Sequence, residues 1–143
     1  MNLFNIIKEE LDRFVEELNL SNLRDIPLKT NLPQVNGVGK FSTVLNDDSI
    51  EILNNKFEPN KLYDFIVDVN GNLKIGGGHY RLSQKASNVK AAGEIKVDKY
   101  GKIIYLNNES GHYEPTKEDI QAIADEFKKM NLTSPNFELE KRY

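Results

Sequence analysis

The sequence predicts an α+β fold, with an N-terminal helix, a mainly antiparallel β-sheet built from hairpins, and a C-terminal helix packed on the sheet. Three observations predict it. Apolar residues recur at three- and four-residue steps near the start of the chain and again after Thr116. Between those segments, short runs rich in β-branched and aromatic residues are separated by turn residues. The chain has 143 residues, 38% hydrophobic and 29% charged, which fits a single domain over 1–143 with a modest core.

Each element has its own signal. Leu3, Ile7, Leu11, Phe14, Val15 and Leu18 set an amphipathic helix over 3–18, with Asn2 as its N-cap. Its apolar stripe must bury against a partner, most simply the sheet. Residues 19–40, punctuated by Pro27, Pro33, Gly37 and Gly39, read as a long connection, either a mobile element or a fold-over loop. "KFSTVL" and "IEIL" flank "NDDS" as one hairpin. "LYDFIVDV" and "LKIG" flank "NGN" as a stronger one, because Asn70-Gly71 is a favoured tight-turn pair. "GEIKV" and "KIIYL" pair around "DKYG", with Ile95 and Val97 alternating with Glu94 and Lys96 as one-sided burial requires. Thr116 opens the last helix, Asp119 supplies a partial capping box, and Ile120, Ile123, Ala124 and Phe127 form its apolar face. Residues 132–143, with Pro135 and a charged end, read as a tail.

Composition narrows the function. Without cysteine there is no disulfide, zinc–thiolate site or thiol nucleophile. No apolar run approaches the roughly 18–20 residues that span a bilayer, so no membrane partner is expected. "MNLFNIIKEELDRF" lacks the features of a signal peptide, which fits work in the cytoplasm or delivery from one cell into another as an effector. The net charge of −3 conceals an asymmetry. Lys74–Lys102 holds seven basic and two acidic residues, and the rest of the chain holds 12 basic and 20 acidic. A basic segment in an acidic chain suggests an anionic partner such as a phosphate group, unless the lysines simply decorate the wet face of a hairpin.

The only two histidines, His79 in "GGGHYRLSQ" and His112 in "NNESGHYEPT", share a Gly-His-Tyr setting. Glycines before His79 allow positive φ and a close approach of backbone or ligand, although a turn histidine is usually a solvated side chain. "GGG" has the wrong spacing for a dinucleotide-binding loop, and no helix is expected after it. If "ESGHYEP" is extended, Ser110 and His112 share one face and Tyr113 takes the other; the plain alternative is a turn before the helix. Metal-free cleavage of an RNA phosphodiester needs a base, an acid and a group that steadies the developing charge. His79, His112, Ser110, Tyr113 and the lysine-rich hairpins supply that set. A serine hydrolase fits less well, because "SGH" forms no nucleophile elbow. A metal site fits least, since no HxH or HxxxH spacing exists.

The stretch "GGGHYRLSQKASNVKAAGEIKVDKYGKIIYLNNESGHYEPT" resembles a module shared by plant IQ-motif calmodulin-binding proteins and by C-terminal domains of bacterial polymorphic toxins. The likeness rests on His79, Ala91, Ala92, Gly93, Glu94, Gly101, Ser110, Gly111, His112, Tyr113 and Pro115, and covers 76–119, under a third of the chain. In the plant relatives serines follow the first histidine, whereas here Tyr80 and Arg81 follow it. The acidic N-terminal helix carries no IQ stretch, so calmodulin is not expected as a partner. The resemblance implies a compact toxin or effector domain, with a cognate immunity protein as a further candidate partner. The order of elements is also similar, at the level of fold, to barnase/EndoU-like ribonuclease toxins, and fold does not establish function.

Three functions follow as expectations. The first is a metal-independent ribonuclease with catalytic His79, His112, Ser110 and Tyr113, in which Arg81, Lys90 and Lys96 bind substrate. It requires the two imidazoles to converge on one cleft. The second is an NAD-consuming enzyme (NAD glycohydrolase, ADP-ribosyl cyclase or ADP-ribosyltransferase), in which Tyr80 and Tyr113 stack on nicotinamide and Glu94 stabilises an oxocarbenium-like centre. NAD would then be a substrate, and no cofactor is expected. The third is a non-enzymatic immunity or nucleotide-sequestering module.

Overall fold

The computed structural model describes residues 18–32 and 38–143. Ten strands and two helices follow in the order β1 (Ile26–Pro27), β2 (Lys40–Phe41), β3 (Thr43–Leu45), β4 (Ile50–Ile52), β5 (Tyr63–Val67), β6 (Leu73–Gly76), α1 (His79–Leu82), β7 (Asn88–Val89), β8 (Ala91–Val97), β9 (Ile103–Asn107), α2 (Lys117–Lys129) and β10 (Thr133–Glu140). The fold is α+β, as the sequence predicts. The helix expected over 3–18 lies, apart from Leu18, outside the described residues. No described helix is long and apolar enough to cross a membrane.

A six-stranded sheet in the order β10-β9-β8-β5-β6-β2 organises the molecule. All three expected hairpins form: β3 with β4, β5 with β6, and β8 with β9. The β5–β6 turn is closed by the Gly71 amide on the Asp68 carbonyl (3.0 Å), while Asp68 Oδ1 accepts from the Asn70 and Asn72 amides, each at 2.9 Å. Two short pairs, β1–β7 and β3–β4, stand apart from the main sheet.

Strand alternation gives the sheet two unlike faces. Tyr63, Phe65, Val67, Ile95, Val97 and Leu106 join Ile120, Ile123 and Phe127 of α2 in the main core. At about 1.5–3 kcal/mol for each fully buried Ile, Leu or Phe, this cluster dominates stability. On the other face, Ile66 and Ala92 join Ile26, Leu82, Val89 and Tyr113 in a smaller core. Beside it runs a polar row of cross-strand neighbours, Asp64, Glu94, Asn107 and Glu140.

Helix α2 begins as its sequence requires. The Thr116 hydroxyl accepts from the Asp119 amide (3.1 Å), and the Asp119 carboxylate accepts from the Thr116 amide (2.8 Å), so the capping box is complete. Arg24 adds a bidentate pair to the same carboxylate, both contacts at 2.7 Å. Burial alone would raise the Asp119 carboxyl, but Arg24 and the Thr116 amide outweigh it and hold the group below its ordinary value. A depressed carboxylate stabilises the fold above its unfolded value, near ~3.9, and that contribution is lost as pH falls through the lower folded value. Asp119→Ala is therefore expected to cost about 2 kcal/mol at pH 7 in urea titration. The difference from wild type should shrink below about pH 4, as the wild-type carboxylate becomes protonated.

Two expectations give way here. Residues 132–143 do not form a tail: β10 lies parallel to β9, with Phe137 and Leu139 packed against the main core. A register shift between Thr133 and Glu138 accommodates the proline, and the α2 crossover makes the parallel pairing possible. The end of the strand is then clamped. Asn108 receives the Arg142 amide and donates to the Arg142 carbonyl, both at 2.7 Å, while the guanidinium reaches Glu140 (3.0 Å) and Glu109 (3.2 Å). The second correction is that a helix does open after the glycines: α1 is a single turn starting at His79, with Gly78 at its N-cap.

Candidate functional site

The glycine run works as the sequence suggests, through conformation. Gly78 adopts φ 82°, a left-handed value suited to glycine, and its amide donates to Asp64 Oδ2 (2.8 Å). This turns the chain off β6 and sets His79 over the polar face of the sheet. The ring is 3% exposed, with Nε2 2.8 Å from the Gly93 carbonyl and 3.8 Å from Asp64 Oδ1. A carbonyl only accepts, so Nε2 carries a proton and donates it to Gly93. Nδ1 has no partner.

His112 repeats this chemistry in a different backbone. Residues 111–113 form a turn, closed by the Glu114 amide on the Ser110 carbonyl (2.7 Å), so the stretch is not extended. The His112 ring is 2% exposed and donates from Nε2 to the Leu32 carbonyl (2.6 Å), and its Nδ1, also buried, has no partner among the described residues. Its main-chain carbonyl accepts from the Lys29 (2.6 Å) and Thr30 (3.4 Å) amides, which straps the upstream connection across this turn. Tyr80 stacks on the imidazole with ring centroids 5.6 Å apart and planes 20° from parallel.

A cleft of about 540 Å³ opens beside this stack, within the range of small-molecule sites. Tyr80, Arg81, Gln84, Lys85 and His112 line it, with Asn31 and Gly78. His79 does not. Of the two histidines, His112 alone contributes to the lining of this cleft, while Tyr80, the neighbour of His79 in the chain, stacks on the His112 ring.

The cations separate in the same way. Lys74 pairs with Asp68 (3.5 Å) and Lys90 with Asp25 (2.8 Å). Lys96 lies over the Tyr105 ring (5.3 Å) and Lys99 over Tyr100 (5.1 Å), while Lys102 donates to the Asp48 and Asn131 carbonyls. Of the seven basic residues between 74 and 102, Arg81 and Lys85 alone have no side-chain partner among the described residues, and both line the cleft. Lys90 and Lys96, expected at the substrate, are instead committed elsewhere. Glu94 is held on the polar row by Asn107 Nδ2 (3.0 Å), near Arg142 (3.9 Å), and is not part of the cleft lining.

Ser110 and Tyr113 both lie away from this cleft, Ser110 at the edge of a separate cavity of about 450 Å³ beside Glu109 and Tyr143. Ser110 is 5% exposed, and its hydroxyl accepts weakly from the Tyr113 amide (3.4 Å). Tyr113 is fully buried, and burial pushes its phenol above the ordinary value. Neither lines the cleft.

Gln84 and Lys85 are the residues that the motifs did not single out. Both are non-glycine residues in the left-handed region, at φ 58° and 64° in succession. Such conformations cost on the order of 1–3 kcal/mol each and concentrate at ligand sites. The only sequence signal was Lys85's membership of the basic segment. Among the described residues, no cluster of three or more His, Asp or Glu side chains is placed to hold a metal ion. Comparison of the chain with protein-family models, curated proteins and solved structures finds no match.

Proposed function

We propose that this protein is an enzyme that binds a small phosphate-bearing nucleotide, of mononucleotide or NAD size, in the His112 cleft and breaks a phosphate linkage in it. The observation that carries the reading is the sorting of charge: among the described residues, the two basic-segment cations without a partner line the same cleft as His112, whose buried Nδ1 also has no partner there. In this scheme Nε2–H of His112 stays on the Leu32 carbonyl, and its Nδ1, buried in the free protein, is uncovered when the ligand binds and then takes the proton from an attacking water. Arg81 and Lys85 stabilise the charge that gathers on the phosphoryl oxygens, and Tyr80 offers its ring to a base.

The cleft dimensions favour a small nucleotide over a polymer, and the single imidazole favours a one-histidine scheme over the two-histidine ribonuclease. A glycosidic cleavage that relies on Glu94 lacks support, because that carboxylate is outside the cleft lining.

The test is to incubate the purified protein separately with NAD and with RNA and to identify the products. AMP and nicotinamide mononucleotide from NAD are expected. Release of free nicotinamide, or cleavage of RNA with NAD left intact, overturns the proposal in favour of the glycohydrolase or the ribonuclease. Saturable uptake with both molecules recovered whole points to the binding module.

A further inference from the structure

The fully buried Tyr113 has no access to a substrate, yet its phenol is invested in one turn. It donates to the Ala86 carbonyl (2.7 Å) and lies 2.8 Å from Ser83 Oγ. Ser83 Oγ in turn is 3.0 Å from the Tyr80 carbonyl and accepts from the Ala86 amide (3.2 Å). Between those anchors sit Gln84 and Lys85, the two successive left-handed residues, whose amides are drawn back onto the Arg81 (3.0 Å) and Tyr80 (2.8 Å) carbonyls. Every hydroxyl contact of this small network therefore falls on the segment that presents Gln84 and Lys85 to the cleft.

We propose that Tyr113, acting through Ser83, is a positioning residue. It holds the Ser83–Ala86 turn in a conformation that glutamine and lysine adopt unwillingly, and so fixes the Lys85 ammonium and the Gln84 amide where a phosphate-bearing ligand meets them. Without the phenol, the turn relaxes toward ordinary backbone values and the two side chains leave the cleft. Inorganic pyrophosphate should then lose affinity even where the molecule stays folded. The inference rests on the assignment of the cleft as a phosphate site.

The experiment measures pyrophosphate and AMP binding by calorimetry, well below the melting temperature, for wild type and three variants. Tyr113→Phe keeps the ring and removes the hydroxyl, and Ser83→Ala removes the relay in case the first variant folds poorly. Ile66→Val trims the same small core without touching the turn, and serves as a control for lost stability. Tyr113→Phe and Ser83→Ala should each weaken pyrophosphate about tenfold, whereas Ile66→Val leaves it unchanged. Adding Gln84→Asn to Tyr113→Phe should restore much of the loss, because asparagine keeps the amide and tolerates the left-handed region. Equal affinity in wild type, Tyr113→Phe and Ser83→Ala overturns the positioning role alone. Equal weakening by Ile66→Val reduces it to general stability. Failure of the wild type to bind either probe overturns the cleft assignment, and this inference with it.

Discussion

Gly93→Ala is expected to abolish folding. A Cβ built at this position lies 1.8 Å from the Asn107 carbonyl oxygen, 2.9 Å from its carbon and 3.1 Å from Phe65 Cε1. Two of the three atoms are backbone of the neighbouring central strand, so no rotamer change relieves the clash. Either β8 and β9 separate, breaking the sheet where it is most buried, or the strand shifts register. A cost beyond about 4–5 kcal/mol follows, comparable with much of a domain's whole stability. Circular dichroism and urea titration of the variant would check it, and a cooperative transition within about 1 kcal/mol of wild type would refute the clash. Strand separation would also displace the carbonyl that holds His79 Nε2. The glycine of "AAGE", one of the residues carrying the family resemblance, thus has a structural reason to be glycine irrespective of any reaction.

The second large effect concerns chemistry. His112→Gln keeps an N–H donor within reach of the Leu32 carbonyl and removes the lone pair proposed as the base. The rate of nucleotide cleavage should fall by about 10²–10⁴, with ligand affinity far less affected, as expected when an acid–base group is lost from a formed site. Melting of the variant within a few degrees of wild type would confirm that the scaffold survives. Retention of the wild-type rate would remove His112 from the mechanism. His79→Gln, by contrast, should leave the rate largely intact, since His79 does not line the cleft.

What the sequence disclosed and what it concealed divide along physical lines. Hairpin turns are written locally, and Asp68, Asn70, Gly71 and Asn72 close one wherever they occur together. The capping box of α2 is local in the same sense. Strand β10 has a local signal too, the alternation in "FELE", but Pro135 and the flanking charges mask it, and its parallel pairing depends on a crossover that only the packed molecule defines. Helix α1 is a single turn, shorter than any apolar periodicity, so nothing in "HYRL" announces it. The charge asymmetry was visible, whereas the identity of the unpaired cations was not. Lys90 is neutralised by Asp25 and Lys96 is covered by Tyr105, both through tertiary contacts. The same limit applies to the two Gly-His-Tyr tripeptides. Their rings face different surroundings because one meets Gly93 on a central strand and the other meets Leu32 in a distant connection.

The strap that crosses His112 is made almost entirely of main-chain atoms: the Lys29 and Thr30 amides and the Leu32 carbonyl. Its demands on sequence are correspondingly odd. Position 32 contributes only an oxygen to the ring, and its side chain is 70% exposed, so nearly any residue would serve there. Position 29 must offer an N–H, which bars proline and little else. A segment that fixes the tautomer of the proposed base can therefore drift widely in composition while its job stays constant, and similarity of side chains would be a poor guide to it.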